Sequence, residues 1–566
     1  MPTPEFLCGN WVGSRDGCTK RGIYACKNCR LVNYCSSECQ KSHWHVHKTD
    51  CKSFLGKYTW QPSWVLENRK PAFVQGGLGA SFGTKKYLWG NVPAYDVLHL
   101  HSNEGDHYDG HISLLFAASG DLRHVVETIA QLPETYNQPI TVTLNDRDIN
   151  IVARNTILLL IALVGESIDE AIDCVIHVWY SALLRRSDNE LLQHRIRPLI
   201  QDFCLQIAGE RSESIVGKIW TFGQRSPKLV QKKSSWDATL SYFEPPTGLT
   251  AKRAQNIRTA VTLAASRVDY TDRALYLLSP SHRIASRRFR EDGLLLPFGF
   301  PRHDFTDPNP TFFHTEDSWP MKDSADPQHG WYTEKVAQTS SGPATADLYG
   351  KIFYFLRATL LCFLVRLSES AVSFQLFSTD VESLPEFLDG ARFDRIETSN
   401  IADMGWFGIH KTLASLGPFL QAPDINPHAT LITSFINAVD ENLTQQDRMA
   451  NMTPNSAETT TLVKYLPVKR ACASEYDPDL IKFRLGRDAV SRCDHIFDRH
   501  LKELRLKEWA DLLGMAIKDD HTIIEKWPYR LKLRPGQPGA QAEFDRLLAG
   551  GLSGKERYIE WRLVDA

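Results

Sequence analysis

An α/β fold with a small, separately stabilised unit at its N-terminus is predicted by three observations. The first is the uneven placement of cysteine. Seven of the twelve lie between Cys8 and Cys51, while Cys174, Cys204, Cys362, Cys472 and Cys493 are scattered through the rest. The second is an alternation of short apolar or β-branched runs with helical patterns, which is the signature of βαβ units and a parallel sheet. The third is a composition that supports a large core: 42% hydrophobic residues, 23% charged residues and a net charge of −2 over 566 residues. That length exceeds one domain.

The N-terminal cluster is regularly spaced. Cys18 is followed by seven residues and Cys26, two and Cys29, five and Cys35, three and Cys39, seven and His47, and three and Cys51. With Cys8 in front these are eight soft ligands, enough for two tetrahedral zinc ions. Cys26 and Cys29 form a knuckle in which both thiolates face one ion. Cys35 and Cys39 are four apart, as are His47 and Cys51, so each pair lies on one face of a helix. The segment is short and poor in aliphatic residues, and chains of that size need metal or disulfides to fold. Zinc binding is then folding free energy, roughly 10 kcal/mol or more per ion. A disulfide framework is set aside, because Met-Pro-Thr-Pro-Glu at the start has no basic and apolar signal regions and the pattern includes a histidine at zinc spacing.

These eight positions, together with Tyr34, Gln40 and Trp44, resemble a MYND-type zinc finger. The resemblance implies an interleaved arrangement in which Cys8, Cys18, Cys35 and Cys39 hold one zinc and Cys26, Cys29, His47 and Cys51 the other. It also implies a protein partner, a proline-containing peptide, received in a groove lined by Gln40 and Trp44. One feature departs from the family pattern: nine residues separate Cys8 from Cys18 where two are common. His43 and His45 lie near the second group and are read as non-ligands.

Residues 52–86 read as a linker, rich in turns around Gly76-Gly-Leu-Gly-Ala-Ser-Phe-Gly83. Residues 87–566 read as one α/β domain with core strands in 111–164 and 372–440. A helical insertion is expected over 165–370, and a C-terminal helix and antiparallel strand pair over 480–566. In order, His111–Ala118 is a strand ended by Ser119-Gly120-Asp121, Leu122–Leu132 a helix, Ile140–Leu144 a strand, and Ile149–Val164 a helix. The insertion carries helical patterns at Glu170–Arg185, Leu191–Ala208 and Ala251–Ser266. Strands resume at Val372–Phe377, Phe393–Thr398 and Ala429–Phe435, with helices near 384–388 and 410–420. Trp527–Leu533 and Arg557–Leu563 alternate like an antiparallel edge pair. Residues 302–350 read as a long surface loop, part ordered by its aromatics, and 452–461 as a polar, mobile one. The most apolar stretch, Ile352–Leu367, carries Arg357 and Arg366 and is read as a buried helix, too short to span a bilayer.

Five parallel strands closed by an antiparallel pair resemble the class I methyltransferase-like Rossmann layout. Trp89-Gly-Asn-Val-Pro-Ala-Tyr-Asp96 with Leu114-Leu-Phe-Ala-Ala-Ser-Gly-Asp-Leu-Arg-His124 resembles the N-terminal domain of axonemal dynein pre-assembly factors. A similar domain follows a MYND finger in fungal proteins.

Two functional readings follow. In one the chain is a non-enzymatic zinc-binding scaffold whose finger recruits a partner. In the other Gly120, Asp121 and Asp146, with Asp380, hold S-adenosylmethionine in a methyltransferase. Against the second, the turn has one glycine where such sites have two or three, and Asp and Asn before helices serve as caps. Asn400 and Asp403 fall near the fourth strand's end, where substrate contacts cluster in such folds. The absence of an Asn-His-x-Cys motif argues against a SET-domain lysine methyltransferase. Near-neutral charge argues against nucleic acid, and the basic runs Lys228–Lys233 and Arg283–Arg290 read as solvated faces. No membrane partner is expected. Unpaired cysteines suit a reducing compartment, cytoplasmic or nuclear.

Overall fold

Apolar and β-branched runs build nine strands of one sheet. In chain order they are β1 (Ile112–Phe116), β2 (Ile140–Asn145), β3 (Ile215–Ile219), β4 (Ser226–Lys232), β5 (Val372–Phe377), β6 (Arg395–Glu397), β7 (Thr430–Phe435), β8 (Met515–Ile517) and β9 (Arg557–Leu563). The structure is a computed structural model and describes residues 6–11, 17–77, 79–314, 318–450, 456–468, 470–472 and 474–564. Across the sheet the order is β3-β4-β5-β2-β1-β6-β7-β9-β8. The strands from β4 to β7 in that order run parallel. β3 is antiparallel to β4, β9 to β7, and β8 to β9.

The parallel part of the sheet is buried on both faces. Successive side chains point to opposite faces. Leu114 and Phe116 therefore join one apolar cluster, with Val142, Leu158 and Leu356. Leu115 and Ala117 join the other, with Leu413, Leu431 and Phe497. Helix Ile149–Val164 starts where the Asp148 carboxylate accepts the Asn150 N–H. Helix Leu348–Glu369 starts at Asp347, which accepts the N–H groups of Gly350 and Phe298.

Several expectations are corrected. The Leu348–Glu369 helix is 22 residues long, so by length and composition it could cross a membrane; half of its most apolar stretch is nevertheless buried in the protein. Its Arg357 pairs with Asp169 and Asp173. The insertion is not wholly helical: the β3–β4 hairpin extends the sheet, and Leu183–Arg185 pairs with Phe305–Pro308. Residues 302–350 are not a surface loop. They bury Phe312, Phe313, Trp319, Met321 and Trp331, with Phe312 and Trp319 both packed on Trp89. Within the connector 52–86, Trp64 and Phe73 pack with Tyr270 and Ile481. From Ala457 the polar run is helical, and 451–455 lie outside the described residues.

The partner of β9 is β8, not Trp527–Leu533. Pro528 has no N–H to donate to a ladder. The N–H groups of Lys532 and Leu533 go instead to the Glu543 carboxylate. Trp527, Pro528 and Tyr529 are all buried, and burial alternates only from Tyr529 to Leu533, so the alternating sequence imitates a strand without a ladder.

Candidate metal centre

The finger is built by a hairpin and a helix. Strands Tyr24–Ala25 and Asn33–Tyr34 pair antiparallel, and their connection carries the Cys26–Cys29 knuckle. The knuckle is closed by bonds from Arg30 N to Cys26 O (2.9 Å) and from Cys26 N to Val32 O (3.1 Å). Arg30 itself sits at φ 53°, in the left-handed region. Helix Ser37–Cys51 is capped by Ser36, whose hydroxyl accepts the Cys39 N–H at 3.3 Å. That cap fixes Cys35 and Cys39 at the helix start, while His47 and Cys51 fall on one face at its end.

The eight side chains converge as two interleaved groups: Cys8, Cys18, Cys35 and Cys39 in one, and Cys26, Cys29, His47 and Cys51 in the other. Within each group the ligand atoms all lie within 4.8 Å of one another. In the first group Cys18 and Cys35 Sγ are 3.7 Å apart, Cys35 and Cys39 3.4 Å, and Cys39 and Cys18 3.9 Å. In the second, Cys26 and Cys51 Sγ are 3.6 Å apart, and Cys29 Sγ lies 3.4 Å from His47 Nε2. A tetrahedral zinc with Zn–S bonds near 2.3 Å sets S···S at about 3.8 Å. A disulfide would need about 2.05 Å, and all these cysteines are free. The donor sets therefore fit two zinc ions.

Burial pushes the Cys8 thiol up to about 12 and raises Cys51. Cys29 is raised because it gives its hydrogen bond to Cys26 and is itself buried. Cys26, which accepts from Cys29, is lowered to about 3, and Cys39 is lowered too, chiefly by its contact with Asn10; coordination of a dication would remove the protons that the raised thiols keep.

The long Cys8–Cys18 spacing is accommodated by pinning its ends. Cys8 N donates to Lys20 O (2.9 Å) and Cys18 N to Asn10 O (2.8 Å); residues 12–16 between them lie outside the described residues. His43 belongs to neither group, and its Nδ1 meets the Tyr34 hydroxyl at 3.0 Å. His45 is exposed and contacts the Ser42 carbonyl.

The second group is fully buried and the first only partly so. Asn28, which spacing alone did not single out, donates to Cys51 Sγ (3.3 Å) and Cys51 O (2.9 Å). The finger is also docked on the rest of the chain. Ser281 Oγ donates to Cys29 O (2.7 Å), and Arg288 pairs with Asp50 (2.9 Å). The Asn33 amide donates to Ser341 O (3.0 Å) and accepts from Ala344 N (2.7 Å). The run Arg283–Arg290 is thus no solvated face. Arg283 is buried against Trp60 and Arg288 faces the finger. No local pattern in the sequence announces these long-range contacts.

Gln40 and Trp44 are half-buried on the finger helix. The Trp44 ring meets His47 edge-on at 6.1 Å, with the Lys52 ammonium 5.9 Å from its centroid.

At the carboxyl ends of the parallel strands, Gly120 has φ 55° and open space where a Cβ would stand. Its N–H donates to Asp146 Oδ2 (3.0 Å), and Asp148 N donates to Asp146 Oδ1 (2.9 Å). Burial pushes Asp146 up to about 6. Asp121 is buried, pairing with Arg123 (2.5 Å) and accepting from Trp179 Nε1 (3.2 Å). Asp380 accepts from Glu382 N. Asp403 accepts from Ile436 N, Asn437 N and the Asn400 amide. Each of these carboxylates is engaged by the protein itself.

Comparison with known proteins agrees with the geometry at the N-terminus. Residues 7–51 match the MYND finger family, and residues 88–184 match a domain of unknown function (DUF4470). The chain is 42% identical over 53 residues to Tudor domain-containing protein 1 of Oryzias latipes, covering 9% of this chain and 4% of that one. It is 38% identical over 68 residues to N-lysine methyltransferase SMYD2 of Mus musculus, covering 11% and 16%. It is 46% identical over 60 residues to histone-lysine N-methyltransferase ASHR1 of Arabidopsis thaliana, covering 10% and 11%. The chain thus spans less than a fifth of each relative's length. No solved structure matches. The chain carries a two-site MYND zinc finger followed by a DUF4470 domain.

Proposed function

We propose that the protein is a non-enzymatic scaffold of the cytoplasm or nucleus. Its finger captures a proline-containing peptide through Gln40 and Trp44. The carrying observation is the half-buried Trp44: one edge rests on His47 while the ring still reaches solvent. A flat apolar wall of this kind receives extended proline-rich segments, whose conformation costs little to fix. Gln40, one helical turn earlier, can donate to and accept from the backbone of an extended ligand. The test is Trp44→Ala. The variant is expected to retain two zinc ions and lose binding of a fluorescent proline-rich peptide. Loss of zinc or of the finger's fold would instead make Trp44 a core residue and end the groove reading.

We read the large unit as a class I methyltransferase-like Rossmann domain. In support, five of its parallel strands run β5-β2-β1-β6-β7, with the last strand, β9, inserted antiparallel beside β7. The resemblance of residues 87–165 to dynein pre-assembly factors, and a fungal origin, belong to the same reading. An S-adenosylmethionine-dependent methyltransferase is the second reading, favoured by the open left-handed Gly120 at the end of β1. The internal bonds of Asp121 and Asp146 weigh against it. Isothermal titration decides between the two: micromolar cofactor binding that Asp146→Ala abolishes would reverse the ranking.

A further inference from the structure

The strand β3, Ser214 to Trp220 with its flanks, ends the sheet on one side. Its pairing with β4 runs from Ile215↔Lys232 to Ile219↔Lys228. The bonds Lys233 N to Ser214 O (2.8 Å) and Trp220 N to Pro227 O (3.0 Å) flank this ladder. They fix its parity. Residues 214, 216, 218 and 220 turn their backbone groups toward β4, so Ile215, Gly217 and Ile219 turn theirs outward. The same three residues share one face of the strand. Ile215 is 54% exposed and Ile219 55%. Natural edge strands are commonly guarded by charge, proline or a bulge. Here Lys218 is the charge within the strand, and its ammonium lies on the opposite face, 5.6 Å from the Phe203 ring centroid.

We propose that this edge pairs with the same edge of a second copy, antiparallel about a twofold axis at Gly217. A twofold interface must be self-complementary, and this strand is. Gly217 meets Gly217 of the other copy, each Ile215 lies opposite Ile219, and each Val216 lies opposite Lys218. The three outward residues of each strand would exchange about six backbone hydrogen bonds. Neighbouring registers are poorer. A shift by two residues one way sets Lys218 against Lys218, and the other way sets Ile219 against Glu213. Like charges directly opposed are destabilising, and a shift by one exchanges the faces. The pairing closes on itself as a dimer, so the apolar edge does not propagate into a fibre.

The test is sedimentation of the full zinc-loaded chain over a concentration series. Wild type is expected to dimerise. I215E/I219E places Glu opposite Glu and is expected to raise the dimer dissociation constant about tenfold or more. I215E/I219K places Glu opposite Lys and is expected to restore dimerisation, more so at low salt. Far-UV circular dichroism and a content of two zinc ions per chain check that both variants fold. A wild-type chain that stays monomeric at about 100 μM overturns the proposal. So does a dimer that both variants leave unchanged, since its interface then lies elsewhere.

Discussion

The finger and the sheet unit reach a fixed shape by opposite means. Residues 6–51 bury a handful of apolar side chains, among them Leu31, Val32 and Tyr34, and otherwise converge on two groups of soft ligands. The sheet unit packs apolar layers on both faces of its parallel strands. The first depends on a few strong bonds in exact positions, the second on many weak contacts. The first is therefore brittle to one substitution and the second graded. Contacts through Asn33, Ser281 and Arg288 dock one on the other.

The largest expected effect breaks the contrast at the metal. Cys26→Ser or Cys51→Ala removes a ligand from the fully buried group, where the metal supplies on the order of 10 kcal/mol of folding free energy. Elemental analysis should fall from two zinc ions per chain, and the finger should lose its protection from hydrogen exchange. The β1–β2 region of the sheet should keep its protection. A wild-type content of one zinc would refute the two-site scheme.

A core truncation should behave in the opposite way. Leu431→Ala in β7, at 0% exposure, is expected to cost about 2–5 kcal/mol and lower the melting temperature of the sheet unit while both zinc ions stay bound. Loss of zinc at the same temperature would show that the two regions melt as one.

The docking itself is tested at Asn33. Asn33→Ala leaves the Ala344 N–H and the Ser341 carbonyl without their side-chain partner, a loss of about 1–3 kcal/mol. Faster hydrogen exchange over residues 341–346 with zinc retained is the expected result. Unchanged exchange would mean that docking rests on the other contacts.

The smallest effect is a difference in the sign of pH dependence. Burial pushes Glu397 up to about 7, above its ordinary 4.5. The ionised form is thus penalised in the folded state, and this group makes the sheet unit more stable as pH falls from about 7 toward 4.5. Glu397→Gln should flatten stability across that window. The finger runs the other way, because acid protonates its ligands and releases zinc. Urea titrations of wild type and variant at pH 5 and pH 8, with zinc measured alongside, separate the two trends.

Much of this was legible in the residues. The spacing of Cys18 to Cys51 marks these side chains as ligands, through a knuckle and the helical pair His47 and Cys51; Cys35 lies before the cap of the Ser37–Cys51 helix, so its pairing with Cys39 is not helical. Runs such as Ile140–Leu144 and Val372–Phe377 read as strands because β-branched residues suit a pleated, buried surface, and β2 and β5 occupy nearly those bounds. The long Ile149–Val164 helix matches its apolar pattern and its Asp148 cap.

What tertiary structure alone decided has a common cause: contacts between residues far apart in the chain leave no periodic trace. Alternation alone does not separate Trp527–Leu533, which does not pair, from Met515–Ile517, which does; Pro528 is the one local mark against the first. The aromatics of 302–350 suggest local order in a surface loop, and only Trp89 placed beside them shows that they are core. Arg283 and Arg288 read as a basic surface until Trp60 and Asp50 arrive from the N-terminus. The sequence by itself determined the metal ligands and most strands of the sheet, because local spacing and pattern carry that information. The docking of the finger and the roles of Asp121 and Asp146 belong to the fold, because the groups that engage them are assembled only when distant segments meet.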